Sequence, residues 1–287
     1  MTGKGKITHV SDTAAWVACY RAEETERSDA IFKDPYARRL AGERGFEILA
    51  AMPGGRKMSW PMVTRTAVMD EIILRRIRDD GIDTVLDLAA GLDARPWRLQ
   101  LPATLRWIDV DLPDMLDHKQ SVLAGERTSC IYEALRVDLT DGFARRELFR
   151  AVGASAKRVL VITEGLLLYL QEQQVTNLAR DLHDIPAMQF WLTDLASPGL
   201  LAMMEKNWAP AVRAGNAPFH FGPADGPGFF GALGWREVEY HSIFDAGRRL
   251  GRTMKFSWLW VLLSRLSPPA KQAEFKRFST IVVYQRA

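Results

Sequence analysis

The sequence predicts an α/β fold, a doubly wound and mostly parallel sheet with an antiparallel edge. Three observations carry this. Between residues 82 and 197 short apolar strand patterns alternate with helical ones, a spacing that favours parallel strands joined by crossovers. The residues before 80 read as mostly helical. The last quarter adds two strand patterns, Trp235 to Tyr240 and Ser279 to Gln285, suited to an antiparallel pair at the sheet edge.

Taken in order, Ser11 or Asp12 caps a first helix through Trp16, Val17 and Tyr20, and Asp34-Pro35-Tyr36 makes a turn. A break spans Met52 to Pro61. Thr64 then caps a strong helix with apolar positions Val68, Met69, Ile72, Ile73 and Ile77, which Gly81 ends. The alternating region holds strands at Thr84–Leu88, Leu105–Asp111, Ile131–Val137, Arg158–Glu164 and Met188–Leu195. Pro113 suits the first turn of the helix after the second strand. Residues 216–231 are rich in glycine and proline and read as a long loop. The organisation expected is one structural unit: an N-terminal helical cover over 1–80, and a core over 81–287 with a substrate loop near 198–234.

Composition narrows the class. Of 287 residues, 47% are hydrophobic and 25% charged, which excludes wholesale disorder. Lys+Arg is 38 against 35 for Asp+Glu, a net charge of +3 too small to be an electrostatic footprint for nucleic acid. Two cysteines, Cys19 and Cys130, make no disulfide framework. The N-terminus leads into no apolar signal segment, and the longest apolar run, near Phe256 to Leu263, is far short of the ~20 residues of a membrane span. A cytoplasmic protein is expected, with no membrane and no nucleic-acid partner. No His/Cys/Asp/Glu group has metal-ligand spacing, so no metal is expected.

A doubly wound sheet binds ligands at the carboxyl ends of its strands. Acids stand at four successive ends here. Asp87-Leu-Ala-Ala-Gly91-Leu-Asp93 follows the first strand, Asp109-Val-Asp111 the second, Asp138-Leu139 the third and Glu164-Gly165 the fourth. The small turn Ala89-Ala90-Gly91 lets backbone approach a ligand. Asp111, 20 residues beyond Gly91, is placed to accept hydrogen bonds from both hydroxyls of an adenosine ribose. A dinucleotide site would want G-x-G-x-x-G beneath a pyrophosphate. This turn lacks two of those glycines and sets Asp93 where phosphates would repel it. S-adenosylmethionine has no phosphate, and its cationic sulfonium suits acids. Arg65 can pair with that cofactor's carboxylate. From spacing alone the reading is a nucleoside-cofactor enzyme, with methyl transfer favoured.

At these residues the chain resembles the leucine carboxyl methyltransferase family, which includes protein phosphatase carboxyl methyltransferases and bacterial O-methyltransferases of polyketide and other natural-product pathways. The resemblance covers about residues 8–200. It runs through Asp12-Thr-Ala-Ala-Trp-Val, Asp34-Pro-Tyr36, Arg65-Thr66 with Asp70, Leu86-Asp-Leu-Ala-Ala-Gly-Leu-Asp-Ala-Arg95 with Arg98-Leu99, Asp109-Val-Asp-Leu-Pro113 with Lys119, Val137-Asp-Leu139 and Glu164-Gly-Leu-Leu-Leu-Tyr-Leu170. It implies a seven-stranded, Rossmann-like methyltransferase sheet under an N-terminal helical cover. It implies further that S-adenosyl-L-methionine is the cofactor and S-adenosyl-L-homocysteine the product. By matched position Arg65 holds the methionine carboxylate, and Ala89, Ala90 and Gly91 form the turn beneath the cofactor. Asp111 binds the ribose, Asp138 and Leu139 flank the adenine, and Glu164 faces the methionine amino group. One departure stands out: the family's turn is commonly Gly-Ala-Gly, and Ala89 replaces the first glycine. An extra methyl there either demands a negative φ or pushes the cofactor slightly.

The expected activity is O-methylation of a hydroxyl or carboxylate on a small molecule, such as a polyketide-type metabolite. Because the donor is already activated, the protein's main task is alignment and exclusion of water. A carboxylate acceptor needs no base, whereas a phenol or alcohol is helped by one. Tyr169 and His220 are the candidates for the acceptor side, and Trp258 and Trp260 are lesser ones. Three other readings stay open: a protein C-terminal carboxyl methyltransferase, a nicotinamide-dependent oxidoreductase that the missing glycines disfavour, and a cofactor-binding scaffold without catalysis, hinted at only by Ala89.

Overall fold

The computed structural model describes residues 11–214, 218–254 and 277–287, with side chains from 12 onward and excepting 208–214. Trp258, Trp260 and the apolar run 256–263 lie outside the described residues. Seven strands form one sheet: β1 (Thr84–Leu88), β2 (Arg106–Asp111), β3 (Ile131–Arg136), β4 (Val159–Thr163), β5 (Met188–Ala196), β6 (Trp235–Ser242) and β7 (Ser279–Arg286). Their order is β3-β2-β1-β4-β5-β7-β6. The first five are parallel, and β7 runs antiparallel to both β5 and β6. The reversed strand is therefore one place in from the edge. Its side chains show why: Thr280 to Tyr284 are all buried, whereas β6 carries exposed Arg236 and Glu237, charges that suit an edge.

The central strands bury both faces. Leu86, Leu88, Ile108, Val110 and Val161 pack on one side, and Val85, Trp107, Leu160, Ile162 and Leu192 on the other. The first layer is closed by α6 (Gly142–Ser155) and α7 (Glu172–His183), the second by α3 (Ser59–Asp79) and α9 (Ile243–Arg249). The short helices α4 (Arg95–Arg98) and α5 (Pro113–Val122) follow β1 and β2. The cover consists of α1 (Ser11–Thr25) and α2 (Ala37–Ala51), which share a separate apolar cluster around Tyr20, Leu40 and Ile48.

Two expectations are corrected. The strong helix α3 begins at Ser59, not Thr64, so Pro61 lies in its first turn, where a missing N–H costs nothing. Thr64 is instead buried inside it. The stretch near 198–234 is not simply a loop. Pro198–Ala214 forms helix α8, and Gly226–Leu233 forms a 3-10 segment whose Phe230 packs edge-on against Trp191. Gly81, at φ +64°, ends α3 as expected. Among the described residues no helix is long and apolar enough to cross a membrane.

Candidate active site

Strand order reverses between β1 and β4, and a cavity of about 560 Å³ opens beyond the carboxyl ends of the strands there. Arg65, Ala89, Ala90, Gly91, Asp111, Asp138, Leu139, Glu164 and Tyr169 all line it. His220 does not.

The turn after β1 is tightly specified. Ala90 donates its N–H to Val110 O at 3.2 Å, and Gly91 N–H to Asp111 Oδ2 at 2.7 Å. Asp111 Oδ1 accepts from Leu112 N at 2.7 Å. Each carboxylate oxygen thus holds one backbone donor and keeps lone pairs for another. Burial pushes the Asp111 carboxyl up, while the two backbone N–H groups act against the rise. Ala89 does not take the negative φ its methyl prefers. It sits at φ +54°, the left-handed region, because the turn must bring residues 90 and 91 back beneath β2. Asp138 is exposed and folds back to accept from Thr140 N at 2.8 Å.

Opposite this turn lies an ion network. Parallel register pairs Thr163 with Thr193, so the next residues, Glu164 and Asp194, emerge side by side. Arg65, projecting from α3, meets Glu164 Oε1 at 3.0 Å and Asp194 Oδ2 at 2.8 Å. Glu164 also pairs with Arg95 at 2.9 Å, and Arg95 with Asp70 and Asp93, each at 2.6 Å. Arg98 joins Asp70 at 2.7 Å. Burial alone would raise the Glu164 carboxyl, but Arg95 and Arg65 outweigh it and hold it below the usual range. Asp93 is likewise held low against its burial, chiefly by Arg95. Asp87 behaves oppositely: burial, then the nearby Asp93 and Asp109 charges, raise it well above the ordinary value. Its Oδ2 is buried with no hydrogen-bond partner among the described residues.

Sequence reading missed Asp194, gave no role to Asp70, Arg95 and Arg98, and used Asp93 only as an argument against phosphates. Extending the strand-end rule to the fifth strand would have found Asp194. The arginines carried no signal of their own, since a helical arginine is usually a surface one.

The donor set fits a cationic nucleoside. Six acidic side chains line the cavity (Asp87, Asp93, Asp111, Asp138, Glu164, Asp194) against four arginines (Arg21, Arg65, Arg95, Arg98). A sulfonium and an ammonium would be welcome there, and a pyrophosphate would not. The unpartnered Asp87 oxygen is a further acceptor awaiting a donor.

The remaining wall is apolar and comes from helices. Met58, Trp60 and Met62 enter from the start of α3 and the turn before it, and Met203 and Met204 from α8. Tyr169 stands beside Phe219, ring centroids 5.7 Å apart and planes at 34°, and its hydroxyl hydrogen-bonds Thr13 of the cover. Burial raises the Tyr169 phenol above its ordinary value. His220 is exposed and turned from the cavity, so its acceptor-side role is withdrawn. Its N–H is tied to Leu168 O at 2.7 Å, and in this extended stretch its neighbours Phe219 and Phe221 take the inward positions. No histidine lines the cavity among the described residues.

The profile of the family described as leucine carboxyl methyltransferase matches residues 14–183. A protein of Streptomyces avermitilis bearing the name of an S-adenosyl-L-methionine-dependent methyltransferase is 32% identical over 253 residues, which span 84% of this chain and 87% of that one. A protein of Streptomyces coelicolor with the same style of name is 31% identical over 269 residues, 88% of this chain and 93% of the relative. Among solved structures, a DUF574 family protein from Streptomyces avermitilis superposes with a TM-score of 0.57 at 14% identity, covering 94% of this chain and 97% of the other. At that identity the likeness concerns the fold.

Proposed function

The chain belongs to the leucine carboxyl methyltransferase family and is an S-adenosyl-L-methionine-dependent methyltransferase; from that premise we propose that it methylates an oxygen, carboxylate or hydroxyl, on a small apolar acceptor. One observation carries the proposal: a single cavity joins a polar wall at the strand ends to an apolar, aromatic wall contributed by α3, α8 and Phe219.

When bound, the cofactor supplies an activated methyl group on a sulfonium. The chain's own residues bind and align. Arg65 would hold the carboxylate of the methionine end and Glu164 its amino group. Asp111 would take the ribose, and Asp138 and Leu139 the adenine edge. Tyr169, fixed by Thr13 and Phe219, positions the acceptor, and the cover over the cavity keeps water away from the reacting atoms. With no histidine base on the described walls, an acceptor that reaches the site already ionised suits this chamber best.

A protein carboxyl terminus is the second reading, favoured by the family's description. The apolar chamber beneath α1 supports the small acceptor instead. A cytoplasmic setting and independence from nucleic acid and membrane belong to this proposal.

The test is calorimetric titration with S-adenosylmethionine, S-adenosylhomocysteine and NADH, followed by methyl-transfer assays on small phenols, small carboxylic acids and peptides ending in leucine. Binding of the two sulfur nucleosides and turnover of a small acceptor are expected. Turnover of the peptides alone would replace the small-acceptor reading. Tight binding without turnover on any acceptor would favour a scaffold.

A further inference from the structure

We propose that Asp194 is a positioning residue of the cofactor site, acting through Arg65. Its backbone is fixed twice, since β5 pairs with β4 on one side and Asp194 faces Ile281 of β7 on the other. The strand end is stiffened by Thr163 donating to Thr193 Oγ1 at 2.8 Å and by Trp191 Nε1 donating to Thr163 Oγ1 at 2.9 Å. From this anchored point the carboxylate divides its work. Oδ1 accepts from Gly165 N at 2.7 Å, holding the turn that carries Glu164. Oδ2 accepts from Arg65 Nη1 at 2.8 Å.

Gly165 completes the arrangement. It sits at φ +66°, which favours glycine, and a Cβ there would come within 3.3 Å of Arg65 Nη1, tight enough to push the guanidinium by a few tenths of an ångström. Arg65 Nε lies 3.0 Å from Glu164 Oε1 but makes no hydrogen bond among the described residues, so the Nη1 bond to Asp194 is what orients the guanidinium where it lines the cavity. Arginine's planar fork transmits this constraint: a hydrogen bond on one nitrogen, with an acid beside another, sets the plane of all three. Without Asp194, Glu164 would be the only acid on Arg65, and the guanidinium would turn toward it and away from its ligand.

This inference rests on Arg65 as the ligand of the cofactor's carboxylate, and the test separates the two claims. S-adenosylhomocysteine and 5′-methylthioadenosine share the nucleoside and differ in the amino-acid end. Asp194→Asn is expected to weaken S-adenosylhomocysteine about tenfold, the scale of one hydrogen bond to a charged group, and to leave 5′-methylthioadenosine binding unchanged. In an Arg65→Ala background the same substitution should cost no further affinity. Equal weakening of both ligands would show Asp194 to be merely structural and overturn the proposal. So would a full additional loss without Arg65. If Arg65→Ala itself fails to discriminate the two ligands, the Arg65 assignment falls, independently of Asp194. Should Asp194→Asn fold poorly, Asp194→Glu keeps the charge but moves it by one methylene, and the same selective loss is expected, with an unselective one counting against the proposal.

Discussion

The two walls of the cavity are built by different rules. The polar wall, the proposed cofactor side, stands on strand ends: Ala89 to Gly91 after β1, Asp111 closing β2, Glu164 after β4 and Asp194 near the end of β5. Parallel register places these residues at one level, and hydrogen bonds of 2.7–2.8 Å fix the Asp111 and Asp194 carboxylates to backbone or arginine. The apolar wall, the proposed acceptor side, comes from helices and a connecting segment, with methionines and aromatics packed by shape. The first wall can specify one ligand rigidly. The second can be reshaped, because apolar packing is non-directional and methionine fills irregular space.

Asp111→Ala should show the largest effect. It removes an acceptor shared by Gly91, Leu112 and the expected ribose, and should cost about 1.5–3 kcal/mol of S-adenosylmethionine affinity by calorimetry. Unchanged affinity would dissolve the distinction between the walls. Phe219→Ala sharpens the other side. It should lower kcat/KM for the acceptor by about 1–2 kcal/mol, the range for apolar pocket contacts, while cofactor affinity stays constant. His220→Ala, one residue away, should change neither, and parallel losses in both kinetic readouts for Phe219→Ala would make that segment structural.

A clamp outside both walls serves as a control. Burial would raise the Glu239 carboxyl, but hydrogen bonds from His241, Arg75 and Arg76 reverse this and hold it at about 2 against an ordinary 4.5. Because the folded value lies below the unfolded one, the stabilisation is complete above about pH 4.5 and is lost as pH falls toward 2. Glu239→Gln should therefore cost about 1–2 kcal/mol of unfolding free energy near neutral pH and progressively less in that acid window, with cofactor affinity untouched. A pH-independent deficit would refute the charge account.

The smallest effect concerns Ala89. Relief of a left-handed alanine is worth about 1 kcal/mol, and glycine's greater chain entropy returns about half of it. Ala89→Gly should stabilise the fold by roughly 0.5 kcal/mol in denaturant titration. Destabilisation would mean that the methyl packs better than the turn is strained.

Legibility in the sequence followed the same division. All seven strands lie where alternation and apolar runs place them, and Gly81 ends its helix, because these features depend on neighbours along the chain. The acids at the ends of β1, β2 and β4 were readable for the same reason: a strand end is a sequence position, and once strands are parallel their ends share a surface; Asp194, inside the fifth strand pattern, was not. Pro61 misled the reading of α3 because a proline marks a break or a first turn equally well. His220 misled it because a loop histidine invites chemistry, while its direction is set by which neighbours the core claims, here Phe219 and Phe221.

The sequence by itself thus determined the sheet, its parallel core, the turn beneath β2 and the row of acids, all consequences of local pattern and period. Tertiary structure alone decided that Arg65 stands between Glu164 and Asp194, that Ala89 accepts a left-handed φ, and that helices distant in the chain meet across the apolar wall. The reason is physical: the Arg65–Asp194 contact joins residues 129 positions apart, and a buried charge chooses its partner by the distance and desolvation that packing creates, which no local spacing encodes.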